Sequence, residues 1–597
     1  MMSKSTILLS LALLAASTSL HAQGVTQTGI PTNQPAFPLE SYQELPDPKP
    51  QDAAPWMSVT QPRVSWASTD YRYAKHEVPG SGLTSKVVLS GWKNEKVHAQ
   101  AVIFTPSDLE DVTLSLSAFT MKKEVLPSDA LEASFMRYVM TDQLNLDGRG
   151  GCSERPDHSK YDSSLVADAV DHMLGSMRIE RRSTQPVWVS CRIPKDAASG
   201  TYQGYLIVSS KGQELSRLPL QIKVGSRTLP DPSAWKFHLD LWQNPFSVSR
   251  YSQVPVWSQE HLDAMRPIMK RLADAGQKVI TASIMHMPWN GQTEDYFESM
   301  VTWVRHLDGS WTFDFAVFDR WVEMMMGVGI TEQINCYSMV PWRLSFQYFD
   351  QATNSMQEIK CEPGSKEYDE MWTAMLSSFA SHLKAKGWFG KTCIAMDERP
   401  ADVMQKTLAV IRRADKDFKV SLAGNWSPDL TDGLYDYCIT SSQDFPEEVL
   451  LQRQKEGKIS TFYTCCAEAY PNTFTFSAPA EATFLGLFAA RKHLDGYLRW
   501  AYNSWPTEPL LDSRFRTWAA GDTYIVYPGN RTSIRFERLL EGIQDYEKIR
   551  ILRDEFQSRP ARLKALEKAL GTLDLQAIPE TPASVLVGGV KKVLNAF

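Results

Sequence analysis

The stretch Gly390–Pro400, GKTCIAMDERP, decides how this chain is read. Cys393-Ile394-Ala395-Met396 is a short apolar run of the kind that forms a buried strand, and it passes without a spacer into Asp397, Glu398, Arg399 and Pro400. Adjacent carboxylates at the mouth of a buried segment repel each other and resist desolvation unless water or a ligand meets them. Pro400 marks the start of a helix at about Ala401, because proline is tolerated in a first helical turn. A strand closing on an acidic pair and leading into a helix is one unit of strand–helix alternation, so the fold turns on whether such units recur.

They recur. Strand patterns fall at 235–242 (WKFHLDLW), 278–284, 332–339, 392–396, 419–424, 436–441, 460–465 (STFYTC) and 496–503 (GYLRWAYN). Amphipathic helix patterns fall between them at 258–275, 315–326, 366–385, 401–415, 445–456 and 480–493. Eight repeats over about 270 residues fit a (β/α)8 barrel. The short fifth-to-sixth connection leaves the count open by one. An open doubly wound sheet competes, but no glycine-rich phosphate loop follows the first strand.

Upstream, residues 61–225 show two-residue alternation in short runs such as VHAQAVIF, VTLSLSAF and GTYQGYLIVSS, which predicts a β-sandwich. Residues 125–185 read as a polar, Asp-rich insertion interrupting it, and VGSRTLPDPS (224–233) as a linker to a barrel over 234–511. Residues 512–597 form a loop and a helical extension packing on the barrel. Its Arg535, Arg538, Glu541 and Asp545 read as a structural ion-pair face. Residues 23–60, rich in Pro, Gln and Thr, read as a leader. Residues 1–22 have Lys4, an apolar run and Leu20-His21-Ala22, the shape of a signal peptide cleaved after Ala22. The expectation is an exported protein, periplasmic or extracellular.

At 597 residues the chain exceeds one core and should divide into domains. The net charge is −6, or −7 without Lys4, and no basic block suggests nucleic acid as a partner. No run after the N-terminus is long and apolar enough for an integral membrane segment. The eight cysteines show no zinc or CxxC spacing. Cys465 and Cys466 are adjacent, where pairing with each other is strained, and the connectivity is open. The histidines are scattered, so neither a metal site nor a cofactor is expected. Eighteen Trp, 21 Tyr and 25 Phe supply either a large core or sugar-stacking faces.

In the barrel reading Asp397 and Glu398 stand at the C-terminal end of the fourth strand, the catalytic face of such barrels. A solvated loop with an internal Asp–Arg pair is the plainer alternative. Successive strand residues point to opposite faces, so both carboxylates reach one substrate only if the strand breaks its extended form there. Candidate sugar contacts are Trp426, Tyr463, Trp500, Tyr502, Asn503 and Trp505, with Asp240, His238, Tyr337 and His286 as weaker ones. Glu468, after the seventh strand, forms a rival pair with Glu398.

The motifs AMDERP, FYTCC, DGYLRWAYNSWP, GDTYIVYPG and RFERLLEGIQDYE together resemble glycoside hydrolase family 123, over about 235–555 and in the type of N-terminal sandwich. The resemblance implies an exported enzyme acting on terminal β-linked N-acetylgalactosamine of a glycolipid or glycoprotein oligosaccharide. It implies substrate-assisted catalysis, in which the 2-acetamido oxygen attacks the anomeric carbon. Asp397 would hold the acetamido N–H, and Glu398 would protonate the leaving oxygen. A retaining enzyme using Glu398 with Glu468, and a glycan-binding protein without turnover, are the alternatives.

Overall fold

In the computed structural model the described residues are 39–80, 82–145, 152, 157–516 and 518–597. The expected signal segment 1–22 and the leader as far as residue 38 lie outside them. Of the leader's remainder, Trp56 and Val59 pack onto Tyr73, Val102 and Phe104 of the first domain.

That domain is two packed antiparallel-rich sheets. One has six strands in the spatial order 63–67, 96–105, 183–192, 131–145, 161–171 and 532–533; the other centres on 87–93, 213–228, 200–210 and 109–116. Alternating inward residues such as Trp66, Ile103, Phe135, Val189, Leu206 and Ile222 fill the space between. Residues 125–185 are not an insertion that interrupts the sandwich. They contribute the two long strands 131–145 and 161–171, paired with each other. Their alternation is hidden because both faces are covered: Phe135 joins the sandwich core, whereas Val139, Val166 and Ala169 join the core of the second domain.

The second domain is a ring of eight parallel strands: β1 (His238–Leu241), β2 (Val279–Ser283), β3 (Gln333–Tyr337), β4 (Thr392–Asp397), β5 (Lys419–Gly424), β6 (Asp436–Thr440), β7 (Ile459–Tyr463) and β8 (Gly496–Arg499). Each pairs with its sequence neighbours from β2 to β8, and β8 pairs with β1. The parallel bridge Leu239–Gln277 and a Lys278 N–H to Leu239 carbonyl bond of 3.0 Å join β1 to β2. A (β/α)8 barrel with C-terminal helices results. Gly496 is needed at the β8–β1 seam, where a Cβ would stand 2.1 Å from the His238 carbonyl oxygen. A four-stranded excursion (302–305, 311–314, 345–350, 355–360) flanks β3.

The long helix 534–556 crosses the barrel helix 479–491 where Gly486 meets Gly542; a Cβ on Gly486 would lie 2.3 Å from the Gly542 carbonyl carbon. The helix is buried on most sides because it also meets the sandwich. Arg535 binds Asp168 at 2.9 Å, Arg538 binds Asp70 at 2.5 Å, and Lys96 binds Glu537 at 2.7 Å. These buried pairs fix the two domains against each other, and removing one partner strands the other charge.

Candidate active site

β4 ends at Asp397, and there the chain leaves the extended form. Glu398 has φ +48°, a left-handed conformation that costs a non-glycine residue about 1–3 kcal/mol. Its N–H still donates to the Ala423 carbonyl of β5 at 2.6 Å, so the ladder is kept while the side chain is turned. Gly424 packs beside the turn, where a Cβ would make ordinary contact with the Glu398 Cα at 3.4 Å. The turn cancels the alternation that would send the two side chains to opposite faces. Asp397 and Glu398 line one cavity of about 160 Å³. Pro400 then caps the helix Ala401–Ala414.

Each carboxylate is met by a neutral donor. Trp342 Nε1–H donates to Asp397 Oδ2 at 3.3 Å, and the Tyr463 hydroxyl, at the end of β7, donates to Glu398 Oε1 at 2.9 Å. Arg399 neutralises neither. Its Nε–H donates to the Asp397 backbone carbonyl at 2.8 Å, and its guanidinium lies over the Trp342 ring, 4.6 Å from the centroid. Among the described residues neither carboxylate forms an ion pair, so the plainer Asp–Arg reading does not describe this strand end. Burial and the charge of Glu398 push Asp397 up to about 7. Burial, with the same charge, raises Tyr463, which therefore stays a donor.

Aromatic rings form much of the wall: Trp242 at the end of β1, Trp342, Trp500 and Trp518. Trp242 stacks on Trp289 with centroids 4.8 Å apart, and Tyr337 packs 4.7 Å from it. Trp500 stands edge-on to Trp518 at 5.8 Å and donates to Asp522 at 3.3 Å. Gln292, Cys152, Cys465 and Cys466 complete the lining.

Of the candidate contacts named from sequence, Tyr463 and Trp500 reach this cavity; the others lie elsewhere. Tyr502 is fully buried with its hydroxyl on the Ile268 carbonyl at 2.8 Å. Asn503 is fully buried too, clamping Asn244 and Ser247. Trp505 donates inward to the Val526 carbonyl at 2.7 Å. β8 stops at Arg499, and the chain then folds into the core. Tyr337 is buried behind Trp242. Trp426 is half-buried beside Gln443, away from the lining.

Asp240 and His238 lie inside the barrel in a polar network with Asn335, Gln333, Ser421 and Asp436. Burial and Asp436 push Asp240 up to about 7. His286 binds Glu298 at 2.7 Å and lines a different pocket. Glu468 accepts from the Ser441 hydroxyl at 2.7 Å and the Cys465 N–H at 2.8 Å, and it lines a separate pocket of about 320 Å³. The sequence reading missed Trp342, Trp518, Gln292 and Cys152, which sit on aperiodic loops. It also passed over Trp242, whose place at the end of the first strand was a usable signal.

Residues 242–552 match the family model described as the glycoside hydrolase 123 catalytic domain, and residues 66–210 the glycoside hydrolase 123 N-terminal domain. A solved family 123 glycoside hydrolase from Clostridium perfringens, described in terms of glycolipid glycan hydrolysis, aligns at TM-score 0.81 and 26% identity, over 90% of this chain and 99% of that one. A GH5 xyloglucanase from Bacteroides ovatus aligns at TM-score 0.29 and 9% identity, over 77% of this chain and 98% of that one. A family 39 glycoside hydrolase from Bacteroides cellulosilyticus WH2 gives 0.33 and 10%, over 77% and 82%. No curated protein matches the chain by sequence.

The match over residues 242–552 to the family 123 catalytic domain defines a glycoside hydrolase, whose substrate is a glycan. The chain belongs to glycoside hydrolase family 123. Among the described residues no helix is long and apolar enough to cross a membrane.

Proposed function

We propose that the enzyme releases terminal β-linked N-acetylgalactosamine by substrate-assisted, retaining hydrolysis through an oxazolinium intermediate. One observation carries this reading. Both rim carboxylates come from adjacent residues of one strand end, while the β7 acid Glu468 lines another pocket. Among the described residues no second carboxylate therefore faces Glu398 across the cavity to act as a nucleophile, so the nucleophile is supplied by the substrate's own acetamido oxygen. A cavity of about 160 Å³ has room for a single sugar unit, which supports exo action on a chain end.

The electrostatics give each carboxylate a role. Burial and the charge of Glu398 keep a proton on Asp397 below about pH 7. An acetamido N–H donated to Asp397 favours its anion, and the proton then belongs on Glu398. Tyr463 occupies Glu398 Oε1, which leaves Oε2 to protonate the glycosidic oxygen and later to deprotonate water. Anionic Asp397 orients the acetamido group and stabilises the oxazolinium charge; such intramolecular positioning is worth up to about 7–11 kcal/mol of barrier. The aromatic wall supplies apolar area for the sugar's C–H face and the acetyl methyl.

The deciding experiment compares aryl β-GalNAc with aryl β-galactoside, with and without a thiazoline mimic of the intermediate. Turnover of the acetamido sugar alone, blocked by the mimic, is expected. Turnover of both sugars overturns the mechanism, and turnover of neither favours a glycan-binding role. We also propose export with cleavage after Ala22, supported by the Cys152–Cys466 disulfide, a bond typical of oxidising compartments. N-terminal sequencing of the secreted protein should then begin at Gln23.

A further inference from the structure

Three sulfur atoms meet in the wall of the catalytic cavity. Cys152 lies between the sandwich strands 131–145 and 161–171, and Cys466 follows β7. They are joined by a disulfide spanning 314 residues, with Cα atoms 5.0 Å apart. Cys465 beside them is a free thiol, and the three Sγ atoms lie within 4.8 Å of one another. All three line the cavity that holds Asp397 and Glu398. Among the described residues, Cys152 is the one member of the sandwich domain in that lining. The other five free cysteines are buried elsewhere.

We propose that Cys152 is a substrate-positioning residue contributed by the N-terminal domain, held in the cavity wall by its bond to the β7 loop, with Cys465 as a second barrel thiol able to take that bond over from Cys466. The bridge could have tied the domains anywhere along their contact, yet it crosses at the cavity, where its sulfur surface meets substrate. The third sulfur, Cys465 Sγ, accepts the Ala467 N–H at 3.5 Å and stays within 4.8 Å of both bridged sulfurs.

The exchange balances without an outside oxidant or reductant. Cys465 loses its proton and its thiolate attacks the Cys152 Sγ. The Cys152–Cys465 bond forms as the Cys152–Cys466 bond breaks, and the electron pair leaves on Cys466, which takes up a proton. Burial and neighbouring Glu468 raise the Cys465 thiol, so it rests protonated and unreactive at neutral pH while the bridge stays on Cys466.

The bridge is tested on full-length protein by peptide mapping without reduction, a readout independent of activity. Folded with glutathione disulfide as the two-electron acceptor, Cys466→Ser should show Cys152 joined to Cys465, and the Cys465→Ser/Cys466→Ser double variant should show Cys152 joined to no other cysteine of the chain. Finding Cys152 unbonded in Cys466→Ser overturns the exchange. The positioning role rests on the proposed function and is read kinetically, with whichever aryl glycoside the wild type cleaves. Cys152→Ser, checked for native thermal unfolding, should raise KM about 5–10-fold with kcat changed less than about twofold, the pattern of lost binding without lost chemistry. An unchanged KM in a folded Cys152→Ser protein overturns the role. If the wild type cleaves a sugar other than GalNAc, the substrate assignment fails while the same KM comparison still decides this proposal.

Discussion

The ends of β4 and β7 both present acidic side chains near the barrel rim, and they are opposite kinds of site. Glu468 after β7 is satisfied: a hydroxyl at 2.7 Å and a backbone N–H at 2.8 Å occupy its two oxygens. Among the described residues, Asp397 and Glu398 at the end of β4 form no ion pair, are met by neutral donors, and have a left-handed backbone at the second residue. A structural carboxylate is saturated by its surroundings, whereas this pair retains open lone pairs, mutual repulsion and backbone strain. Such features persist only where the surrounding structure holds them, and they concentrate at functional sites.

The largest test of that contrast is Glu398→Gln. Losing the proton donor should lower kcat about 10²–10⁴-fold on glycosides with poor leaving groups. On activated aryl glycosides, which need little protonation, the loss should be much smaller. Equal losses in a leaving-group series would remove the acid role. Asp397→Asn comes next, with an expected fall of about 10²-fold in kcat and little change in sugar binding, because it removes a charge that stabilises the intermediate. A titration showing that sugar binding fails as badly as kcat would recast Asp397 as a binding group.

The pH profile gives a third, smaller effect. Asp397 is pushed up to about 7. Below that pH Asp397 holds a proton that it can pass to its neighbour; above it Asp397 is charged and has none to pass. Wild-type kcat/KM should therefore fall about tenfold per unit above roughly pH 7. The same linkage destabilises the fold as pH rises through 7, because the folded state disfavours the charged form of Asp397 that the unfolded chain accepts. Asp397→Asn should accordingly move that alkaline limb and unfold at a higher temperature than wild type at pH 8, an advantage that shrinks towards pH 5. A limb left unmoved in Asp397→Asn would belong to a group outside the pair.

The barrel was legible because its signals are local. Parallel strands covered on both faces read as short apolar runs, and the helix 401–414 follows from Pro400 and its amphipathic spacing almost to the residue. The strand pair 131–145 and 161–171 was not legible, since a hairpin packed between two cores loses its two-residue rhythm. The four excursion strands 302–305, 311–314, 345–350 and 355–360 also went unread. In the site, Asp397 and Glu398 followed from their position at a strand end, but the rotation at Glu398 that unites them did not, because a left-handed glutamate carries no sequence signature. Tyr502, Asn503 and Trp505 were misplaced by extending the β8 alternation past Arg499, where the strand ends. Trp342, Trp518 and Cys152 come from loops, and only tertiary structure brings them to β4.

The smallest expected effect falls on Glu468→Gln, and it separates the two strand ends most cleanly. The amide fits the existing bonds: its oxygen can accept the Cys465 N–H while its nitrogen donates to the Ser441 hydroxyl, which accepts as readily as it donates. No buried group is left unpaired, so stability should change by less than about 1 kcal/mol. Because Glu468 lines a different pocket from Glu398, kcat should stay within about threefold of wild type on the glycosides that Glu398→Gln fails to cleave. A two-carboxylate enzyme behaves otherwise, since amidating its nucleophile abolishes the covalent intermediate whatever the leaving group. Glu468→Gln as inactive as Glu398→Gln would move the nucleophile to β7 and dissolve the contrast between the two ends.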